Sequence, residues 1–272
     1  MLYYYAHTGH KVGLDRVKKA AAIIKELEAS GVECRLLVND FRAGLAARDY
    51  GINDSITIET VQDIDAIAQI GNSVIIDSPE DDHGRLQKYV QEFKAVFKFT
   101  QDSADVSHFG EFILHGSVID REYEAAKGKT KEQRRLFFLN DADYEKVILG
   151  NASLFEEKET ELLLGNYFFV KYEDDLAKLF KILHEPEEYM ELIQNSSQII
   201  TSSIQTALEA KASGAVVSFL NLLNTPNEQC EMLISNGIPL IQHMEDSVPE
   251  QQASYIVNQL DSIVQNILQK VN

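Results

Sequence analysis

The residues best suited to chemistry lie in 198–220, QIITSSIQTALEAKASGAVVSFL. The run reads as a strand, a hydroxyl-rich turn, a helix, a glycine stop and a second strand. A strand that delivers Ser202, Ser203 and Thr206 to a helix N-terminus makes an anion site. The first helical N–H groups have no partner within the helix, and the helix dipole favours negative charge there. Glu209 lies one turn beyond Thr206 and faces the same way. This chemistry suits a phosphorylated small molecule, and a nucleotide in particular. The structural alternative is an ordinary serine N-cap inside a βαβ core unit.

The rest of the chain must position that unit. Leu2–Ala6 reads as a central strand, followed by the polar loop His7-Thr8-Gly9-His10-Lys11-Val12-Gly13 and a helix starting near Leu14. Strands are expected at Cys34–Val38, around Ile56–Ile58, at Ser73–Ile76 ending on Asp77, at Ala95–Phe99 and at Phe112–His115. Helices are expected between them, at 41–49, 61–70 and 83–93. Strand alternating with helix implies a parallel sheet covered on both faces, with ligands at the carboxyl ends of the strands. Loop 7–13, Asp40 and Asp77 share that edge. Glu124–Arg135 is polar and basic and reads as the crossing to a second domain. The alternation then resumes, with a strand at Leu136–Leu139, helices at 142–149, 173–183 and 188–194, and a strand within Leu162–Val170. After the opening unit come a helix at Asn227–Asn236 and a strand at Ile238–Gln242. A long amphipathic helix over Pro249–Val271 ends the chain, its stripe running from Ala253 and Ile256 to Leu268. That stripe packs on the domains or forms a dimer seam, and no strict heptad argues for a coiled coil.

With 272 residues the chain accommodates one large domain or two ordinary ones. Its 43 acidic against 25 basic residues give a net charge of −18, which repels nucleic acid and anionic lipid. An anionic ligand therefore needs a local device. Cys34 and Cys230 have no metal spacing and suit a reducing compartment. No apolar run reaches the ~18 residues of a membrane span, and no signal peptide is evident. The expectation is a cytoplasmic protein without metal or cofactor. GxxxxGK, HExxH, CxxC and GxSxG are all missing, which removes P-loop NTPases, zincins and serine hydrolases.

Three pieces carry a family resemblance: VGLDRVKKAAAIIKEL, VIIDSPED, and the run from EEYMELIQNSSQIITSSIQTALEAKASGA to ISNGIPLIQHM. Together they resemble the GT-B glycosyltransferase architecture, and within it the UDP-sugar hydrolase of pseudaminic acid biosynthesis. The resemblance implies two Rossmann-like α/β domains facing a cleft, with the C-terminal helix packing back toward the first. Residues 1–130 would form the acceptor or catalytic side, 131–248 the nucleotide side and 249–272 the helix. It also implies a ribose contact at Glu209. The chain departs from the family in three places. Arg16 stands where the family has its catalytic His, with Asp15 in place of the second glycine. Pro79 replaces a Tyr. Asn140-Asp141 replace the Gly-Gly that lets backbone approach a diphosphate. Arginine stays protonated and is no general base, while Asp141 and Asp143 would repel a diphosphate.

Within this frame His10 is the candidate proton acceptor, since imidazole titrates near neutrality, and His7 is the second candidate. Asp77 orients an imidazole, binds a sugar hydroxyl or caps its own turn. Glu80-Asp81-Asp82 reads as a solvated helix start, or as a divalent-cation site of undiagnostic spacing. Gly9 and Gly13 shape the first loop, and Lys11 and Arg16 are placed to meet a phosphate. The expected function is processing of a UDP-type nucleotide sugar, by hydrolysis or glycosyl transfer, in surface or flagellar glycan metabolism. The alternative is a catalytically inactive relative that binds or regulates.

Overall fold

The computed structural model describes residues 1–100, 104–155, 159–244 and 257–271. The chain divides into two compact units. The first comprises Met1–Gly9, Arg16–Asp120 and Asn258–Asn272, and the second His10–Asp15 and Arg121–Val257.

The first unit is built on β1 (Leu2–Ala6), β2 (Cys34–Val38), β3 (Ser55–Thr57), β4 (Ser73–Asp77), β5 (Ala95–Phe99) and β6 (Phe112–Leu114). All neighbours are parallel, in the order β3-β2-β1-β4-β5-β6. β1 is buried along its whole length, as its run of three tyrosines demands of a strand covered on both faces. Its helices are α1 (Asp15–Ala29), α2 (Phe41–Ala46), α3 (Ile64–Ile67) and α4 (Arg85–Glu92). α1 buries Val17, Ala20, Ala21, Ile24 and Leu27, the helical period read from the sequence. Strand order reverses direction between β1 and β4, so the crevice of the doubly wound sheet opens there.

The loop leading into β6 closes on Glu111, which is buried and accepts from the His108 and Phe109 N–H groups at 2.9 Å each and from Ser107 Oγ at 3.2 Å. Burial opposes its ionisation, but the donors together outweigh burial and hold the carboxyl below its ordinary range. A lowered folded-state pKa contributes stability that is present above the unfolded value of about 4.3 and lost as pH falls through the folded value. Glu111→Gln is therefore expected to cost about 1–2 kcal/mol at pH 7 and to lose most of that penalty at pH 3. Urea melts at the two pH values measure this, and a penalty that does not change with pH refutes it.

The second unit repeats the plan. After α5 (Arg121–Ala125) come β7 (Glu132–Phe138), α6 (Val147–Gly150), β8 (Glu161–Leu163), α7 (Val170–Leu176), β9 (Leu183–His184), α8 (Tyr189–Asn195), β10 (Ser196–Thr201), α9 (Ile204–Ala212), β11 (Val216–Leu220), α10 (Asn227–Ser235) and β12 (Leu240–Ile241). The parallel order is β12-β11-β10-β7-β8-β9, with its reversal between β7 and β10. Phe137, stacked on Phe180 and tilted against Phe155, anchors one core face.

Several expected elements differ. The segment Glu124–Arg135, expected as the crossing, falls inside the second unit, which begins at Arg121; residues 127–130 are exposed, and β7 already begins at Glu132, with Arg134 paired to Glu132 and Glu161. The helix expected over 142–149 shrinks to α6, because Asp143 takes the Val147 and Ile148 N–H groups and caps the chain there. The helix expected over 173–183 ends at Leu176, and Leu183 turns into the short edge strand β9. The last helix, α11 (Leu260–Val271), packs Leu260, Ile263, Val264 and Ile267 into the first unit. Residues 249–256 of the expected helix lie outside the described residues, and Val257 is exposed and precedes the helix. Among the described residues no helix is long and apolar enough to cross a membrane.

Candidate functional site

At the crevice of the first unit, β1 ends in His7 and β4 in Asp77. The His7 N–H donates to the Asp77 carbonyl at 3.0 Å, which carries the strand pairing to its limit. Asp77 is buried and fully engaged: Lys19 Nζ stands 2.7 Å and Arg16 Nε 3.3 Å away, and Tyr4 donates its hydroxyl at 3.1 Å. Burial and then Asp77 drive the Tyr4 hydroxyl well above its ordinary pKa. The carboxylate beside an imidazole is instead Glu80, whose Oε2 lies 3.2 Å from His7 Nδ1. Glu80 is held by the Tyr5 hydroxyl at 2.5 Å and Ser78 Oγ at 2.8 Å. His7 Nδ1 is buried and has no aligned hydrogen bond, so the approach is electrostatic. An imidazole positioned by a carboxylate can take and return a proton. The run 80–82 thus splits in function, because Asp81 and Asp82 accept from the His83 and Gly84 N–H groups at the start of α4 while Glu80 turns inward. Among the described residues no three His, Cys, Asp or Glu side chains gather as a cation site.

In the second unit the crevice edge is formed by the ends of β7 and β10. Ser203 caps α9, accepting from the Thr206 N–H at 3.1 Å, which satisfies one orphan donor of the first turn. Ser202 is turned inward, donating to the Leu220 carbonyl. Glu209 is 1% exposed. Its Oε2 accepts from Tyr189 at 2.6 Å and its Oε1 from Gln205 at 2.7 Å. Tyr189 also meets Thr206 Oγ1 at 2.7 Å, and Thr206 Oγ1 meets Ser203 Oγ at 3.0 Å. Ser203 Oγ is in turn 3.2 Å from each carboxylate oxygen of Asp15. Asp15 and Glu209 are therefore joined by a chain of three hydroxyls, Ser203, Thr206 and Tyr189.

Segment His10–Asp15 packs within this second unit. His10 stacks near Phe169 with ring centroids 6.4 Å apart and lies 4.8 Å from the Tyr167 ring. Lys11 Nζ sits 5.4 Å over the Tyr144 ring. Gly13, at φ +74°, lies so close to Asn140 that a Cβ would stand 2.4 Å from its Oδ1. Gly9 has φ +143° and open space around it. Asp141 and Asp143, expected to repel a diphosphate, are both buried and engaged. Asp141 accepts from Asn166 Nδ2 at 3.0 Å, and Asp143 accepts from the Tyr172 hydroxyl.

The structure links Ser203, Thr206 and Glu209 through hydrogen bonds that also take in Tyr189, Gln205 and Asp15. It brings Arg16 to Asp77 and gives Glu80 to His7, while exposed His10 rests on aromatic rings. The sequence presents Glu80 only as part of a helix start or cation site and not as the partner of His7, and nothing local marks Tyr189. Glu80 sits in an acidic run, and Tyr189 reaches Glu209 from a helix that precedes β10.

No protein-family profile matches the chain, and no curated protein matches it in sequence. Solved structures do match. The UDP-GlcNAc 2-epimerase of Methanocaldococcus jannaschii, in complex with UDP-GlcNAc and UDP, is 11% identical with a TM-score of 0.59, covering 99% of this chain and 100% of that one. A glycosyltransferase from Rickettsia africae is 10% identical with a TM-score of 0.53, covering 99% and 90%. At such identities the likeness is one of fold, and the chain has the GT-B-like fold of two Rossmann-like α/β units, each with a parallel sheet.

Proposed function

We propose that this protein binds a nucleotide sugar of UDP type at the carboxyl edge of its second sheet and processes it by hydrolysis or glycosyl transfer. The observation that carries the reading is buried Glu209, held by Tyr189 and covered by Gln205 one turn into α9. A ribose hydroxyl can donate to Oε1 in place of the Gln205 amide, while Tyr189 keeps the other oxygen fixed. The fold is shared with an epimerase structure that holds UDP-GlcNAc and UDP, which supports the nucleotide class. Of the two candidate imidazoles, His7 has a carboxylate, Glu80, beside it and is the proton acceptor in this reading, while His10 rests on aromatic rings. A cytoplasmic place in surface or flagellar glycan metabolism, and kinship with the pseudaminic acid pathway hydrolase, belong to the same proposal.

Isothermal titration with uridine, UDP and UDP-GlcNAc tests it. Glu209→Ala is expected to weaken uridine binding by at least about tenfold, or 1.4 kcal/mol. No heat from any of the three at millimolar concentration sinks the reading. The replaced family residues at 16, 79 and 140–141 favour a second reading, a binding or regulatory relative without turnover, and Asp15 takes the Ser203 hydroxyl that caps α9. Chromatographic detection of UDP released from UDP-GlcNAc, lost in His7→Ala, decides against that alternative.

A further inference from the structure

We propose that Glu80 is a positioning residue for His7: it holds the imidazole as the Nδ1–H tautomer, which makes Nε2 the atom that takes the proton. The inference rests on the proton-acceptor role given to His7 above. The ring is carried by a main chain pinned on both sides. The His7 N–H donates to the Asp77 carbonyl at 3.0 Å. Toward β2, Thr8 is bracketed by Asn39, whose Oδ1 accepts from the Thr8 N–H at 2.7 Å and whose Nδ2 donates to the Thr8 carbonyl at 3.1 Å. These two bonds carry the β1–β2 pairing past Ala6 and Val38 through a side-chain amide.

The tautomer follows from what surrounds each nitrogen. Nδ1 is buried, and Glu80 Oε2 stands 3.2 Å from it. A neutral imidazole carries one N–H and one lone pair. A lone pair on Nδ1 would face a carboxylate and be repelled, whereas an N–H there is attracted. The proton of the neutral ring therefore sits on Nδ1, and the lone pair on Nε2. The side chain is 20% exposed, so with Nδ1 buried the rest of the ring is what a ligand can reach. Glu80 is itself restrained. The Tyr5 hydroxyl donates to its Oε2 at 2.5 Å and Ser78 Oγ at 2.8 Å, and the Glu80 N–H donates to Ser78 Oγ at 3.1 Å. Burial, and then Glu80, raise the Tyr5 hydroxyl far above its ordinary pKa, so it remains a donor. Two hydroxyls on one oxygen use its two lone pairs, which is why His7 meets the charge of that oxygen off the hydrogen-bond axis. Asp77 cannot take this place, because Lys19, Arg16 and Tyr4 occupy it.

Proton–nitrogen NMR of the labelled full chain, with the His7 ring assigned through its backbone, reads the tautomer directly. At about pH 8.5, above the ordinary imidazole value of about 6.5, the wild type is expected to show His7 with Nδ1 protonated and Nε2 bare. Glu80→Gln keeps the size and an acceptor for Tyr5 and Ser78 but removes the charge, and is expected to bring His7 to a mixture of both tautomers. The same variant is expected to lower kcat for UDP release from UDP-GlcNAc by about tenfold or more with KM unchanged, a split that a merely structural role would not give. A wild-type His7 protonated on Nε2 overturns the inference whether or not the variant folds, and so does Glu80→Gln that leaves the tautomer or kcat unchanged. The spectra need no substrate. A wild type that shows the Nδ1–H tautomer but neither binds uridine nor releases UDP therefore sinks the nucleotide reading alone, while the tautomer assignment stands.

Discussion

Asp77→Ala is expected to destabilise the first unit by about 3–5 kcal/mol, the range for removing one partner from a buried ionic cluster. The carboxylate is 5% exposed and ends a strand that is buried throughout. Three groups converge on it, Lys19 at 2.7 Å, Arg16 at 3.3 Å and the Tyr4 hydroxyl at 3.1 Å. Its removal leaves two cations side by side with no anion between them. It also orphans a hydroxyl on a tyrosine that is 0% exposed. Lys19 retains only its approach to the Phe99 ring, 4.2 Å from the centroid, which does not replace an ion pair to a buried carboxylate. Asp77→Asn is the informative companion. It keeps an acceptor for Tyr4 and drops the charge, so it isolates the ionic part and should fall between wild type and Asp77→Ala. Equilibrium urea denaturation measures both. A loss below about 1 kcal/mol for Asp77→Ala, the level of exposed pairs, would show that the cluster is solvated. The cluster also bears on ligand recognition. Arg16 and Lys19 are spent on Asp77, so a phosphate that used either cation would have to compete with a buried aspartate.

What was legible in the sequence was whatever short-range pattern encodes. The buried run of β1, the period of α1 and the strand–turn–helix of β10 and α9 each follow from hydrophobic spacing and capping within a few residues. The hydroxyls at 202–206 were visible for the same reason, since a cap is a local event. Positions decided across the sheet were not legible. Asp77 and Glu80 lie three residues apart and look interchangeable in sequence, yet one is locked to two cations and the other faces an imidazole. The choice is made by Arg16, Lys19 and Tyr5, which are more than fifty residues away. Edge strand β9 was lost because its two residues carry no period, and its pairing with β8 is set by the strand it lies beside. Departures from the family pattern were readable as substitutions, but not their consequence. Asp141 and Asp143 do not stand out as bare charges, because Asn166, Tyr172 and two backbone N–H groups take them up.

Gly165→Ala is expected to cost about 3 kcal/mol, the upper end for overpacking, and more than Gly13→Ala at the other side of the same loop. A Cβ at Gly165 would stand 2.5 Å from the Asp141 carbonyl oxygen and 2.6 Å from that of Asn140, both backbone atoms. Neither can rotate away. The Asp141 carbonyl is also pinned by the Tyr167 N–H at 2.9 Å, so the loop after β7 must move as a body or that bond must break. Gly13 presents the opposite case. Its Cβ would meet the Asn140 side chain, which can swing aside at the loss of its 2.7 Å bond to the Asp141 N–H. What remains is the left-handed backbone, worth about 1–2 kcal/mol for a residue with a Cβ. Asn140→Ala separates the two substitutions. Combined with Gly13→Ala it should recover the steric part, and combined with Gly165→Ala it should recover nothing, because there the clash is with the main chain. Denaturant midpoints of the three single and two double variants give the comparison. Equal recovery in both pairs would mean that loop 140–141 yields as readily as a side chain. Its closeness to Gly13 and Gly165 would then reflect packing alone and not a surface built to hold segment 10–15.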